Sequence, residues 1–181
     1  MRPARLALAS LMAYEAGVAI WRHRRRTAVY EQAVARANEL GRPLVVIGDP
    51  DAGLHTRLAR AYGCGAVCVD LRGCPACPVS VAADITRTVP QIEDDSAVVF
   101  VSCVFEYVGD VEAACREVLR IAGEAENVFL VYVDPWTMTS WVYPGARWRR
   151  TARGWRPVRV GERAVLLGAV SLLSVAAAVR S

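Results

Sequence analysis

The chain contains no lysine: all 22 of its basic residues are arginine. It has only two histidines, His23 and His55, too isolated to complete a metal site by spacing. There is no internal repeat and no low-complexity stretch, which excludes solenoid and propeller plans. No aromatic-rich strand of the base-stacking kind is present, which argues against an RNA-binding module. No small-x-small cleavage site precedes Arg22–Arg26, so the signal-peptide plan at the N-terminus is incomplete.

What is present suffices for one domain with short appendages: 181 residues, 54% of them apolar, with a net charge of +4. The apolar surplus collects at the two ends, in Leu6–Trp21 and Ala164–Val179. The expected division is therefore an apolar helix with an arginine cluster over 1–26, a globular domain over 27–160, and an apolar C-terminal segment over 161–181. Leu6–Trp21 reads first as a membrane anchor or monotopic helix, being short for a span of about 20 residues. A buried N-terminal helix is the second reading. Small residues Gly168, Ser171 and Ser174 would let the C-terminal segment pack as a second membrane helix; a final strand and helix of the fold is its alternative. The arginines of Arg22–Arg26 and Arg147–Arg163 suit phosphate, of lipid or nucleic acid. As flanks of apolar runs they favour a solvated or membrane-surface role over nucleic acid. The first cluster places the domain on the cytoplasmic side, although Arg2 and Arg5 oppose that orientation.

Between the ends, strand and helix patterns alternate. Thr27–Leu40 predicts a helix stopped by Gly41 and Pro43. Strands are expected at Leu44–Ile47, Ala66–Asp70, Val79–Ala83, Ala97–Ser102 and Asn127–Val133, and helices at Leu54–Tyr62 and Asp110–Ile121. Residues 136–160 show no clear period. This order predicts an α/β fold: a Rossmann-like, doubly wound, mostly parallel sheet with apolar helices at both chain ends.

In such sheets ligands bind beyond the carboxyl ends of the strands. Four exits are informative: Gly48-Asp49-Pro50-Asp51-Ala52-Gly53, Asp70, Asp84, and Ser102-Cys103-Val104-Phe105-Glu106-Tyr107-Val108. Singly, each aspartate reads first as a turn or cap residue. Their order is more telling. A glycine turn, an acid about twenty residues on, a second acid, then a strand leading into Phe-Glu-Tyr-Val resembles the class I S-adenosylmethionine-dependent methyltransferases over 44–133. The closest part is Ser-x-Val-Phe-Glu-Tyr-Val-x-Asp with its following Arg-Glu-Val-Leu-Arg helix.

The resemblance implies that Gly48 and Gly53 cradle the methionine part of S-adenosylmethionine, that Asp70 holds the ribose, and that Asp84 lies near adenine. Ser102 joins this cofactor set, and Asp49 or Asp51 would replace the family's missing acid. It implies an acceptor pocket of Cys103, Phe105, Glu106, Tyr107 and Trp136, taking a small molecule or lipid. Methyl transfer to a nucleophilic acceptor needs alignment more than a base, so no catalytic residue is assigned. The loop departs from acid-x-Gly-x-Gly-x-Gly, with Pro50 near the middle glycine and a hydrophobic residue in place of the acid. Proline fixes φ and removes a donor. Modified cofactor binding and an inactive, structural relative are the two readings; nucleotide binding on a related sheet is a third.

Cys64, Cys68, Cys74 and Cys77 cluster within fourteen residues. Unligated buried or loop thiols in a reducing compartment are the first reading. An all-cysteine zinc site is the second, and a redox disulfide pair the third.

Overall fold

The computed structural model describes residues 3–48, 65–75, 77–132 and 146–158. Helix α1 (Pro3–Leu40) is one unbroken element of 38 residues. The arginine block expected to separate an apolar helix from Thr27–Leu40 lies inside it. Gly17 is the only interior glycine, and one glycine costs a helix only about 1 kcal/mol. The helix ends at Gly41, whose φ of +62° lets Arg42 N–H reach Ala37 O at 3.0 Å and Gly41 N–H reach Asn38 O at 3.3 Å.

The strands β1 (Leu44–Ile47), β2 (Val67–Asp70), β3 (Ser80–Ala82), β4 (Val98–Ser102) and β5 (Val128–Val131) form one sheet in the order β3-β2-β1-β4-β5. Every pairing in it is parallel, with Val45 opposite Val67 and Val99, and Phe100 opposite Phe129. The α/β architecture and the parallel sheet are as the sequence predicts. β1 and β4 are buried throughout, because successive side chains enter opposite layers. On one face Leu44, Val46, Cys68, Val98 and Phe100 meet Tyr30, Ala33 and Ala37 of α1. On the other, Val45, Ile47, Val69, Val99 and Val101 meet Val111, Ala114, Val118 and Ile121 of α2 (Val111–Ala122). Asp110 caps α2 by accepting Glu112 and Ala113 N–H at 3.0 Å each.

Two features depart from the expectations. The stretch without a clear period holds an antiparallel hairpin, β6 (Trp148–Thr151) and β7 (Gly154–Pro157). Its arginines hide the alternation, and only Trp148 and Trp155 reach the core. The N-terminal apolar run is not enclosed: Leu8, Met12, Tyr14, Ile20 and Trp21 are exposed. Among the described residues, no helix is long and apolar enough to cross a membrane. The expected Leu54–Tyr62 helix and the apolar segment 161–181 lie outside the described residues.

Candidate functional site

Because all five strands run the same way, their carboxyl ends share one edge, and a cleft of about 560 Å³ opens there. This is a size typical of small-molecule sites. Gly48, Asp70, Asp84, Cys103 and Tyr107 all line it, so the structure brings together five of the expected residues from four different strand exits. Ile47, Val69 and Ile85 form the apolar floor.

Each position has a local cause. Asp70 is the last residue of β2, and its Oδ1 accepts the Arg72 N–H at 3.0 Å. Asp84 follows β3, and its Oδ1 accepts Thr86 N–H at 2.9 Å and Thr86 Oγ1–H at 2.8 Å. The Thr86 backbone N–H is the main reason its carboxyl is held below the usual aspartate range, against partial burial. Both aspartates therefore stabilise turns, and each turn uses one carboxylate oxygen. Gly48 leaves β1 with φ +80°, and its N–H donates to Val69 O at 3.0 Å. A Cβ there would sit 1.9 Å from Val104 Cγ2 and 3.0 Å from Ser102 O. The glycine is required by the protein's own packing, before any ligand is considered.

Other expected residues stand elsewhere. Ser102 is buried beneath the edge, where its Oγ accepts a hydrogen bond from Arg26. Phe105 and Glu106, expected in an acceptor pocket, do not line the cleft and are only 3% exposed. Phe105 turns into the core and meets Trp155 edge to face at 5.6 Å. The Glu106 carbonyl accepts Arg147 N–H at 2.6 Å and Trp148 N–H at 3.1 Å, which ties the hairpin to the β4 exit. Asp49, Asp51, Gly53, Cys64 and Trp136 lie outside the described residues.

The sequence reading missed two arginines. Arg147 lines the cleft and, among the described residues, is the only basic side chain that does so. Arg26 reaches the same edge because positions 26, 30, 33 and 37 share one face of α1. That spacing was available as a signal, hidden by the run of arginines around it. Arg25 packs over the Tyr132 ring at 4.8 Å, just after β5. Burial, with the Glu106 charge second, pushes the Cys103 thiol up to about 11, against the opposing pull of Arg26 and Arg22.

The cysteines are also placed differently from the first expectation. Cys68 and Cys74 form a disulfide, and Cys77 is disulfide-bonded too. Cys103 and Cys115 are free thiols.

No family model matches the chain, and no curated protein or solved structure matches it.

Proposed function

We propose that the cleft binds S-adenosylmethionine and that the chain is a methyltransferase-like protein acting on a small-molecule or lipid acceptor. The observation that carries the reading is the shared cleft of Gly48, Asp70 and Asp84 at the exits of three adjacent strands. Two carboxylates suit hydroxyl and amino donors and a sulfonium charge. They repel a polyphosphate, and among the described lining residues Arg147 alone opposes them, a charge pattern that favours a nucleoside sulfonium over a nucleotide. The strand order supports the same reading: the chain reverses direction across the sheet between β1 and β4, where open α/β sheets take their ligands. In this reading Asp70 accepts from the ribose, Asp84 lies toward adenine, and Cys103 and Tyr107 border the acceptor.

A second reading, an inactive relative with a structural or interaction role, draws on Pro50 in the glycine loop and on the occupation of the Gly48 Cβ position by Val104. In either reading the exposed Leu8, Met12, Ile20 and Trp21, with the exposed Arg24 beside them, support attachment to an anionic membrane surface from the cytoplasmic side.

Calorimetric titration of the full chain with S-adenosylmethionine and S-adenosylhomocysteine, beside Asp70→Ala, tests the reading. Micromolar binding that the variant loses supports it. Absence of heat from a folded sample overturns it in favour of the inactive relative.

A further inference from the structure

The connection from β2 to the parallel strand β3 covers only residues 71–79. Parallel strands need a crossover of a dozen or more residues, usually a helix. Here the crossover is too short for a helix that returns along the sheet, and sulfur holds it instead. Cys68 is fully buried in β2, on the face shared with α1. Cys74 is equally buried in the loop, its N–H donating to Ser80 Oγ at 2.6 Å. Cys77 N–H closes a turn onto Cys74 O at 2.9 Å. The three Sγ atoms all lie within 4.8 Å of one another.

We propose that Cys68, Cys74 and Cys77, when reduced, bind one zinc ion that holds this crossover in place of the disulfides. With Zn–S near 2.3 Å, the corners of a tetrahedral thiolate site lie about 3.8 Å apart. The Cys68 and Cys74 sulfurs are bonded to each other and the Cys77 sulfur lies within 4.8 Å of both, so once the bond is reduced the three need only side-chain adjustment, not a new loop path, to reach that separation. The Cys74-x2-Cys77 turn supplies two donors from one short segment, and Cys68 supplies the third from a rigid strand. The donor set is all sulfur, which selects zinc over magnesium or calcium. Reduction by a phosphine converts each disulfide and one water into two thiols and a phosphine oxide. Zinc then replaces the thiol protons, which pass to buffer, as three Zn–S bonds form.

The test uses the full chain, reduced with a phosphine under anaerobic conditions and titrated with Co²⁺, then with Zn²⁺. The expected result is one equivalent of cobalt showing thiolate charge-transfer and tetrahedral ligand-field bands, which zinc abolishes. Cys74→Ser and Cys77→Ser each weaken binding by at least about a hundredfold, the upper range for changes outside the ligand shell, whereas Cys115→Ser leaves it unchanged. If a variant fails to fold, circular dichroism of the wild-type chain decides. Structure lost on reduction and restored by zinc supports the site; structure that zinc does not restore overturns it. Cobalt bands absent from the folded, reduced chain, or unchanged in Cys74→Ser/Cys77→Ser, also overturn it.

Discussion

Glu117 Oε1 accepts the backbone N–H of Val89 at 2.7 Å across 28 positions of sequence. This bond fastens the long segment between β3 and β4 to α2. The same carboxylate receives Arg120 Nε at 2.9 Å and Nη2 at 2.7 Å, and Arg120 continues to Asp94 and to the Ile92 carbonyl. A buried acid on the inner face of α2 is thus fully engaged.

Replacing Glu117 by glutamine keeps the shape but removes the charge that Arg120 pairs with. The expected loss is about 1.5–3 kcal/mol at neutral pH, the range for a hydrogen bond to a charged group. The Arg120 bonds hold the Glu117 carboxyl below the ordinary glutamate range, with the Val89 N–H adding to them against burial. Its stabilisation is therefore complete above the unfolded-chain pKa and lost as pH falls through the lower folded value. Urea denaturation from pH 7 to pH 3 should show the wild-type advantage shrinking in that acid window; a constant gap would refute the ion-pair account.

Gly48→Ala combines an unfavourable φ with a clash against Val104. Overpacking alone costs about 1–3 kcal/mol, so the variant should melt well below wild type. Adding Val104→Ala should recover the clash component and leave the φ component. Full recovery in the double variant would show that the left-handed backbone at Gly48 carries no cost.

Cys103 should alkylate very slowly. With its thiol pushed up to about 11, roughly one molecule in a thousand carries the thiolate at pH 8. Mass-spectrometric counting of labelled cysteines at pH 8, without reductant, should find Cys103 protected in the native chain and labelled within minutes in urea. Rapid native labelling would contradict the burial that sets the shift.

Phe105→Ala should cost about 3–5 kcal/mol, as for a buried aromatic, and leave ligand affinity per folded molecule unchanged, because Phe105 packs on Trp155 away from the cleft. Chemical denaturation beside ligand titration separates the two effects. A large affinity loss in a folded sample would return Phe105 to the pocket.

The parallel strands were legible because continuous runs such as Leu44–Ile47 and Val98–Ser102 carry no polar face. The cleft residues were legible because a parallel sheet gathers every strand exit onto one edge, whatever the loops contain. Phe105 was misjudged because sequence adjacency to Cys103 does not reveal which way a turn rotates. Here Cys103, at φ +53°, swings the following residues inward. The hairpin was hidden because its pairing depends on Thr151 and Gly154 bracketing a two-residue turn, while Trp148-Arg149-Arg150-Thr151 and Gly154-Trp155-Arg156-Pro157 do not alternate polar with apolar. The disulfide ranks last among the three sequence readings because loop thiols at irregular spacing give no sign of which strand lies beneath them.

An unbroken α1 has no joint between Trp21 and Tyr30. Its C-terminal half lies on the sheet and ends just before β1, so its N-terminal half extends past the strands' carboxyl edge, roughly 28 Å of helix at 1.5 Å per residue over positions 3–21. Arg26 on Ser102 marks where the helix passes that edge. Residues 3–21 are therefore a fixed mast on the side where the cleft opens, and whatever grips the mast also sets the direction from which molecules reach the cleft.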